Sequence, residues 1–315
     1  VEALLALKKR GRYDEYVHWH HHVMIPTVLP YEPRDANYRN GAHRGPAFLP
    51  WHRLFLITVE NDLRDIDASL AIPYWDWSQD ASLADPATSA IWAADFMGGD
   101  GLAADEWRVQ AGPFAHSAGN WAVRSYPDAG LPGPGLKRRF GRGLPSLPTA
   151  TDVELALGEA FYDTPPFNQV PFTTGFRNRL EGWITQRGDP RVKSSGSQLH
   201  NRVHLWVGGN MEPMTSPDDP VFFLHHCFVD KLWADWQAKQ MMKNPVAAPH
   251  YSPEEDGPAG HNIDDVLQPW DKTIREVLDI AALDYSYEQP PAEERAAAAG
   301  ITGAPSIRDS PFWAD

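Results

Sequence analysis

The chain of 315 residues contains a single cysteine, Cys227, so no intrachain disulfide can form and no thiolate cage for a metal can be assembled. Positive charge is also scarce: 28 basic against 42 acidic side chains leave a formal net charge of -14. A nucleic acid would find no basic footprint, and an anionic lipid surface would repel the chain on average. Long apolar runs are missing as well, none approaching the ~20 residues of a membrane-spanning helix. Neither nucleic acid nor membrane is expected as a partner. The opening stretch VEALLALKKR lacks the basic start, apolar centre and small-residue cleavage site of a signal peptide. The expectation is therefore a soluble chain without a signal peptide, either cytoplasmic or exported together with a partner.

Strand signals are few. Residues 70–77 (LAIPYWDW) are short, aromatic and interrupted by Pro73, which allows an edge strand or an extended segment at most. Proline is abundant, 29 residues in all, about twice its usual ~5% share. It clusters with glycine in residues 26–44, 124–148, 187–197 and 245–261, which read as surface loops. Between them, apolar residues at helical spacing predict helices over residues 2–24, 48–68, 151–161, 175–186, 197–207 and 219–242. After Tyr287 the composition shifts to QPPAEERAAAAGITGAPSIRDSPFWAD. One domain over residues 1–287 and a C-terminal tail over 288–315, helical across 292–299, are expected.

Histidine, present 13 times, carries the functional signal through the faces it occupies. In the first helical pattern the apolar stripe Tyr13, Tyr16, Val17, His20, Val23, Met24 places His20 toward the core. His18 and His22 lie about 160° away at 100° per residue, with His21 on the flank, and these three are expected in solvent. His52 sits within the stripe Phe48, Leu49, His52, Phe55, Leu56, Val59. His200 and His204, four residues apart, project from one helix face within reach of one ion. In the last helix two stripes coexist, one containing His225 and the other His226, and periodicity does not choose between them.

A lone core histidine is usually a hydrogen-bonded packing residue. Four helices that each turn an imidazole inward point instead to a metal site in a bundle core, because buried ring nitrogens need partners. Imidazole-only ligation with few carboxylates in the same stripes argues against di-iron carboxylate chemistry and favours copper or zinc.

The segments YDEYVHWH (13–20), AHRGPAFLPWHRLFL (42–56), IPYWDW (72–77), GFRNRLEGW (175–183), LHNRVHLWVGG (199–209) and SPDDPVFFLHHCFVDKLWADWQ (216–237) together resemble the tyrosinase family of type 3 dicopper proteins. The likeness is strongest to the family's compact bacterial members. It implies a mainly α fold, a four-helix bundle core holding a dicopper site, with long Pro/Gly-rich loops and few short strands. The resemblance assigns His20, His43 and His52 to the first copper ion and His200, His204 and His226 to the second, with O₂ as co-substrate. His116, His250 and His261 match nothing in the family pattern and are expected at the surface.

The implied activity is hydroxylation of phenols and oxidation of o-diphenols to o-quinones. Oxidation of o-aminophenols in secondary metabolism is the alternative within the family, and O₂ carriage of the haemocyanin kind or a His₃ zinc hydrolase are more distant ones. By resemblance, Glu181 and Asn201 orient a water that accepts the phenol proton, while Leu205 and Met214 border the substrate entrance. Both entrance residues are apolar, so a neutral phenol is expected to be preferred over tyrosine. A small copper-delivery helper protein is a further implied partner. Asp230 is read either as a helix anchor or as a surface carboxylate. Cys227 is not placed for the copper-histidine thioether of fungal and plant members and is read as a buried inert thiol. The intervals from His20 to His43 and from Glu181 to His200 are longer than in the compact bacterial enzymes.

Overall fold

The computed structural model describes residues 1–24, 40–123, 135–245 and 250–287. The tail at 288–315, residues 26–39 and 124–134 of the first two expected loops, and residues 246–249 of the last lie outside the described residues. The first helical pattern divides in two, α1 (Glu2–Lys9) and α2 (Arg12–Met24), because Gly11 adopts φ +79° between them, a left-handed conformation that glycine reaches without strain. The following helices are α3 (Phe48–Arg64), the single turn α4 (Trp77–Asp80), α5 (Ala150–Leu157), α6 (Phe176–Glu181), α7 (Leu199–Val207) and α8 (Val221–Lys243).

Several helices are shorter than their apolar patterns predict. α5 starts at a Thr149–Asp152 capping box and stops before Gly158. α6 ends at Gly182, whose φ of +107° turns the chain back so that its carbonyl accepts the Gln198 N–H at 3.0 Å. A side chain at Gly182 would collide with the Gln198 carbonyl. This one turn brings the end of α6 against the start of α7.

Strand content among the described residues is a two-residue antiparallel ribbon, β1 (Gly101–Leu102) with β2 (Arg108–Val109), and two isolated bridges. Residues 70–76 form no named strand and lead into α4, and the Trp75 N–H donates to the Leu224 carbonyl of α8 at 2.9 Å.

The core sits among α2, α3, α7 and α8. The last two pack beside each other, and α3 lies along α8. These helices meet through Tyr16, Phe55, Phe222, Phe223 and other fully or nearly fully buried aromatics. A buried ion pair joins α3 to α8: Arg53 Nε donates to Asp230 Oδ1 at 2.7 Å, with the two side chains 0% and 3% exposed. Asp230 is thus a helix anchor. A second fully buried pair, Arg138 with Asp219, fixes the start of α8, where Asp219 also accepts the Val221 N–H. No helix among the described residues is long and apolar enough to cross a membrane. Cys227 is fully buried, and burial pushes its thiol well above the ordinary range, as befits an inert packing residue.

Candidate metal centre

Seven buried or nearly buried histidines converge in two adjoining groups. His20, His43 and His52 form one; His200, His204, His225 and His226 form the other, and within each group the candidate ligand atoms lie within 4.8 Å of one another. The groups meet where His52 stacks on His226, ring centroids 4.2 Å apart.

Each imidazole is aimed by a different local device. α2 is held down by the Tyr13 hydroxyl, which donates to the Pro217 carbonyl at 2.6 Å, and its His20 Nδ1 donates to the Met214 carbonyl at 2.7 Å. His52 Nδ1 donates to the Phe48 carbonyl one turn back in α3, at 2.7 Å. On α7, His204 Nδ1 donates to the Met211 carbonyl at 2.6 Å. His200 Nδ1 lies 3.3 Å from the Glu181 carbonyl and 3.1 Å from Asn201 Oδ1, contacts made possible by the Gly182 turn. His226 has no such carbonyl; its ring is clamped between His52 and Phe222, the latter at 4.1 Å.

His43 is on a loop, and the loop is held by two residues. Asn40 Oδ1 accepts the N–H groups of Ala42 and His43. His261 then spans the loop: its Nδ1 accepts the Ala47 N–H at 2.9 Å and its Nε2 donates to the Asn40 carbonyl at 3.0 Å. The expectation that His261 is a surface residue is therefore wrong; it is 0% exposed. It lies in an aperiodic stretch, where the sequence carries no signal of burial. His21, expected in solvent, is also buried and lies on the cavity described below, whereas His18, His22 and His116 are exposed as expected and His250 is half-buried.

The donor set has a definite chemical character. A carbonyl oxygen only accepts, so each Nδ1 beside one carries the proton, and the Nε2 of a neutral ring then carries a lone pair. The Nε2 atoms of His20, His52 and His200 are buried with no hydrogen-bond partner, and His204 Nε2 lies 3.4 Å from His226 Nε2. Burial lowers the pKa of His20 to about 3 and of His204 to about 4, and pushes His43, His52, His200, His225 and His226 well below the ordinary imidazole value. Neutral imidazoles with unshared lone pairs, gathered in a space free of carboxylate ligands, fit soft-to-borderline cations such as copper. The carbonyl partners are the outer contacts that fix ligand orientation in such sites.

A cavity of about 430 Å³ opens onto His20, His43, His200 and His204. Asn201, Leu205 and Met214 lie on its lining. So do Arg44 and Glu212, so the mouth carries one charge of each sign, contrary to the expectation of a purely apolar entrance. Arg44 was missed although it directly follows His43; a single loop cation has no pattern that reveals where it points. Asn201 Nδ2 is buried without a partner. Glu181 stands behind the lining, 0% exposed, where Oε1 accepts the Arg44 N–H at 2.6 Å and Oε2 accepts from Arg177 at 2.9 Å. Arg177 is held in turn by Asp163.

Two juxtaposed imidazole clusters inside a helical core, beside an open cavity, define a binuclear metalloenzyme of the type 3 copper class. Residues 10–239 match the common central domain of tyrosinase. The tyrosinase of Streptomyces glaucescens is 45% identical over 273 residues, covering 87% of each chain. Grixazone synthase of Streptomyces griseus is 36% identical over 307 residues, covering 92% of this chain and 94% of that one. In fold, the chain is similar to a single-site mutant of polyphenol oxidase from Thermothelomyces thermophila, with a TM-score of 0.54 at 22% identity and coverage of 85% and 83%. The chain belongs to the tyrosinase family. It is a copper polyphenol oxidase whose cofactors are two copper ions and whose co-substrate is O₂.

Proposed function

We propose that His20, His43 and His52 hold one copper ion and His200, His204 and His226 the other, and that the chain hydroxylates phenols and oxidises o-diphenols to o-quinones. The observation that carries this reading is the set of carbonyl-anchored imidazoles, His20, His52, His200 and His204, which present Nε2 lone pairs toward one buried space beside a cavity. When bound, two copper ions with three neutral imidazoles each supply the joint two-electron reduction of O₂.

The protein's own part is to orient and deprotonate. Asn201 lies on the cavity with a free amide donor, and Glu181 retains lone pairs beyond its two bonds; a water shared between them would accept the phenol proton. Leu205 and Met214 shape the ring's approach, and Arg44 supplies a cation for a substrate carboxylate. The cavity's opening onto the clusters favours an enzyme over an O₂ carrier. Similarity to grixazone synthase across 92% of this chain supports oxidation of o-aminophenols as a second reading. A copper-delivery helper fits both, and so does a catalytic unit of residues 1–287 followed by a tail of 288–315.

The test is elemental analysis of the purified chain with turnover assays on L-tyrosine, catechol and o-aminophenol. Two copper ions per chain with o-quinone formation are expected. Retention of a single metal, or of zinc without oxidase activity, would overturn the reading. Copper uptake only in the presence of a second protein would identify the helper.

A further inference from the structure

We infer that Trp77 is a positioning residue that keeps His225 out of the second metal's ligand set by fixing its tautomer. The inference rests on the dicopper reading for the second site and concerns a problem that the geometry poses there. Four imidazoles, not three, stand with their candidate ligand atoms within 4.8 Å of one another: His200, His204, His225 and His226. A metal held by four protein ligands is closed, whereas a catalytic metal needs a position left open. One of the four must therefore be prevented from binding.

His225 differs from its neighbours in its polar contact. The anchored imidazoles donate Nδ1–H to oxygen atoms, which leaves Nε2 free. His225 Nδ1 instead faces the indole Nε1 of Trp77 at 3.1 Å. An indole N–H can only donate, so Nδ1 of His225 accepts and its proton resides on Nε2. That Nε2–H is buried, with the backbone of His200 as its polar neighbour. An Nε2 that carries a proton has no lone pair for a metal, so this ring is chemically mute toward a cation that its neighbours can bind. The ring is also immobilised, stacked on His200 with centroids 5.1 Å apart.

Trp77 is built to hold its position. It is 0% exposed, and it packs edge-on against Phe228, one turn from Leu224 on α8, at 4.9 Å. Asp76 caps α4 by accepting the Ser78 and Gln79 N–H groups. On the other side Trp75 is tied to α8 through the Leu224 carbonyl and to Asp80 through its own indole N–H at 2.6 Å. The segment 72–76 and the first residue of α4 thus clasp α8 next to His225 and deliver a single donor to it. This explains why an aromatic, proline-interrupted segment is placed against the helix that carries two adjacent histidines.

The experiment uses the full chain with ¹⁵N-labelled histidine, prepared without metal, and reads each ring's tautomer from long-range ¹H–¹⁵N correlations. His225, assigned by its loss in His225→Gln, should appear as the Nε2–H tautomer, while His20, His52 and His204 appear as Nδ1–H. An Nδ1–H tautomer for His225 would overturn the inference. Trp77→Phe keeps the ring packing and deletes the donor. Its second site should bind Co(II) about tenfold tighter, the scale on which outer contacts tune metal affinity, and should bind azide more weakly because the open position is filled. Unchanged Co(II) and azide affinities would also overturn it. If Trp77→Phe does not fold, His225→Gln decides independently. Two copper ions per chain in that variant support the inference, and loss of the second ion refutes it. Should the parent chain itself fail to bind two metal ions, the dicopper reading fails, while the tautomer result stands on its own.

Discussion

Replacing Asp230 with alanine should be among the most damaging single changes outside the histidine clusters. Its carboxylate accepts Arg53 Nε at 2.7 Å on one oxygen and the hydroxyls of Tyr285 and Tyr287 at 2.6 and 2.8 Å on the other. Arg53 cannot escape to water. Its guanidinium is 0% exposed, lies 3.6 Å above the Trp233 ring and is hydrogen-bonded to the Val277 and Leu278 carbonyls. Removal of one partner from a buried pair costs about 3–5 kcal/mol, mostly because the remaining charge is stranded. At roughly 2–4 °C per kcal/mol for a domain of 150–250 residues, that is a fall in Tm of about 6–20 °C. Arg53 follows His52 on α3, and Asp230 lies one turn after His226 on α8, so the pair also sets the spacing of the helices that bring the two clusters together. Both copper ions should bind more weakly. The measurement is thermal unfolding of the metal-free chain by circular dichroism for Asp230→Ala and for the double variant Arg53→Met, Asp230→Leu. Apolar replacement of both charges should recover much of the loss. A fall of less than about 2 °C for Asp230→Ala, or a double variant no more stable than the single, would refute the reasoning.

Alanine in place of His52, His204 or His226 should remove one copper ion and abolish oxidation, whereas His18→Ala and His22→Ala should leave metal content unchanged; elemental analysis checks both. Glu181→Gln and Asn201→Ala should slow monophenol hydroxylation by roughly 10²–10⁴-fold, the usual general-base contribution, with much smaller effects on catechol. Equal losses on the two substrates would assign Glu181 to structure alone, as the partner of Arg177 and of the Arg44 N–H. Because Arg44 lies on the cavity, Arg44→Ala should lower kcat/KM for L-tyrosine several-fold relative to tyramine, as expected for an exposed pair worth up to about 1 kcal/mol, and Leu205→Arg should shift the ratio the other way. In the metal-free chain, burial holds His20 near 3 and His204 near 4. An unfolded chain takes up protons at about 6.5 that these rings refuse, so stability should be full above about pH 7 and fall steadily as pH drops toward 4. Urea titrations at several pH values, with copper-loaded protein as the less acid-sensitive comparison, would reveal an opposite slope if the rings were charged.

The order of the histidine-bearing helices and the inward faces of α2, α3 and α7 were legible from the sequence, because an apolar stripe at helical period states which way a helix faces regardless of what it packs against. His20 separates from His18 and His22 on that ground alone. Helix ends were less legible: the patterns run on past Arg10 and Glu181, where the positive φ of Gly11 and Gly182 turns the chain through backbone geometry that side-chain hydropathy does not record. Periodicity was silent on His225 and His226 because α8 is buried around most of its circumference. Only the placement of Trp77, 148 residues away in sequence, distinguishes the two rings, because its indole N–H faces His225 and not His226. His261, Arg44 and Glu181 show the same limit. His261 holds the loop of His43 across a separation of 221 residues to Asn40, and Glu181 holds Arg44 across 137. Such contacts join loops and helix ends that have no repeating pattern, so their partners exist only once the helices have packed.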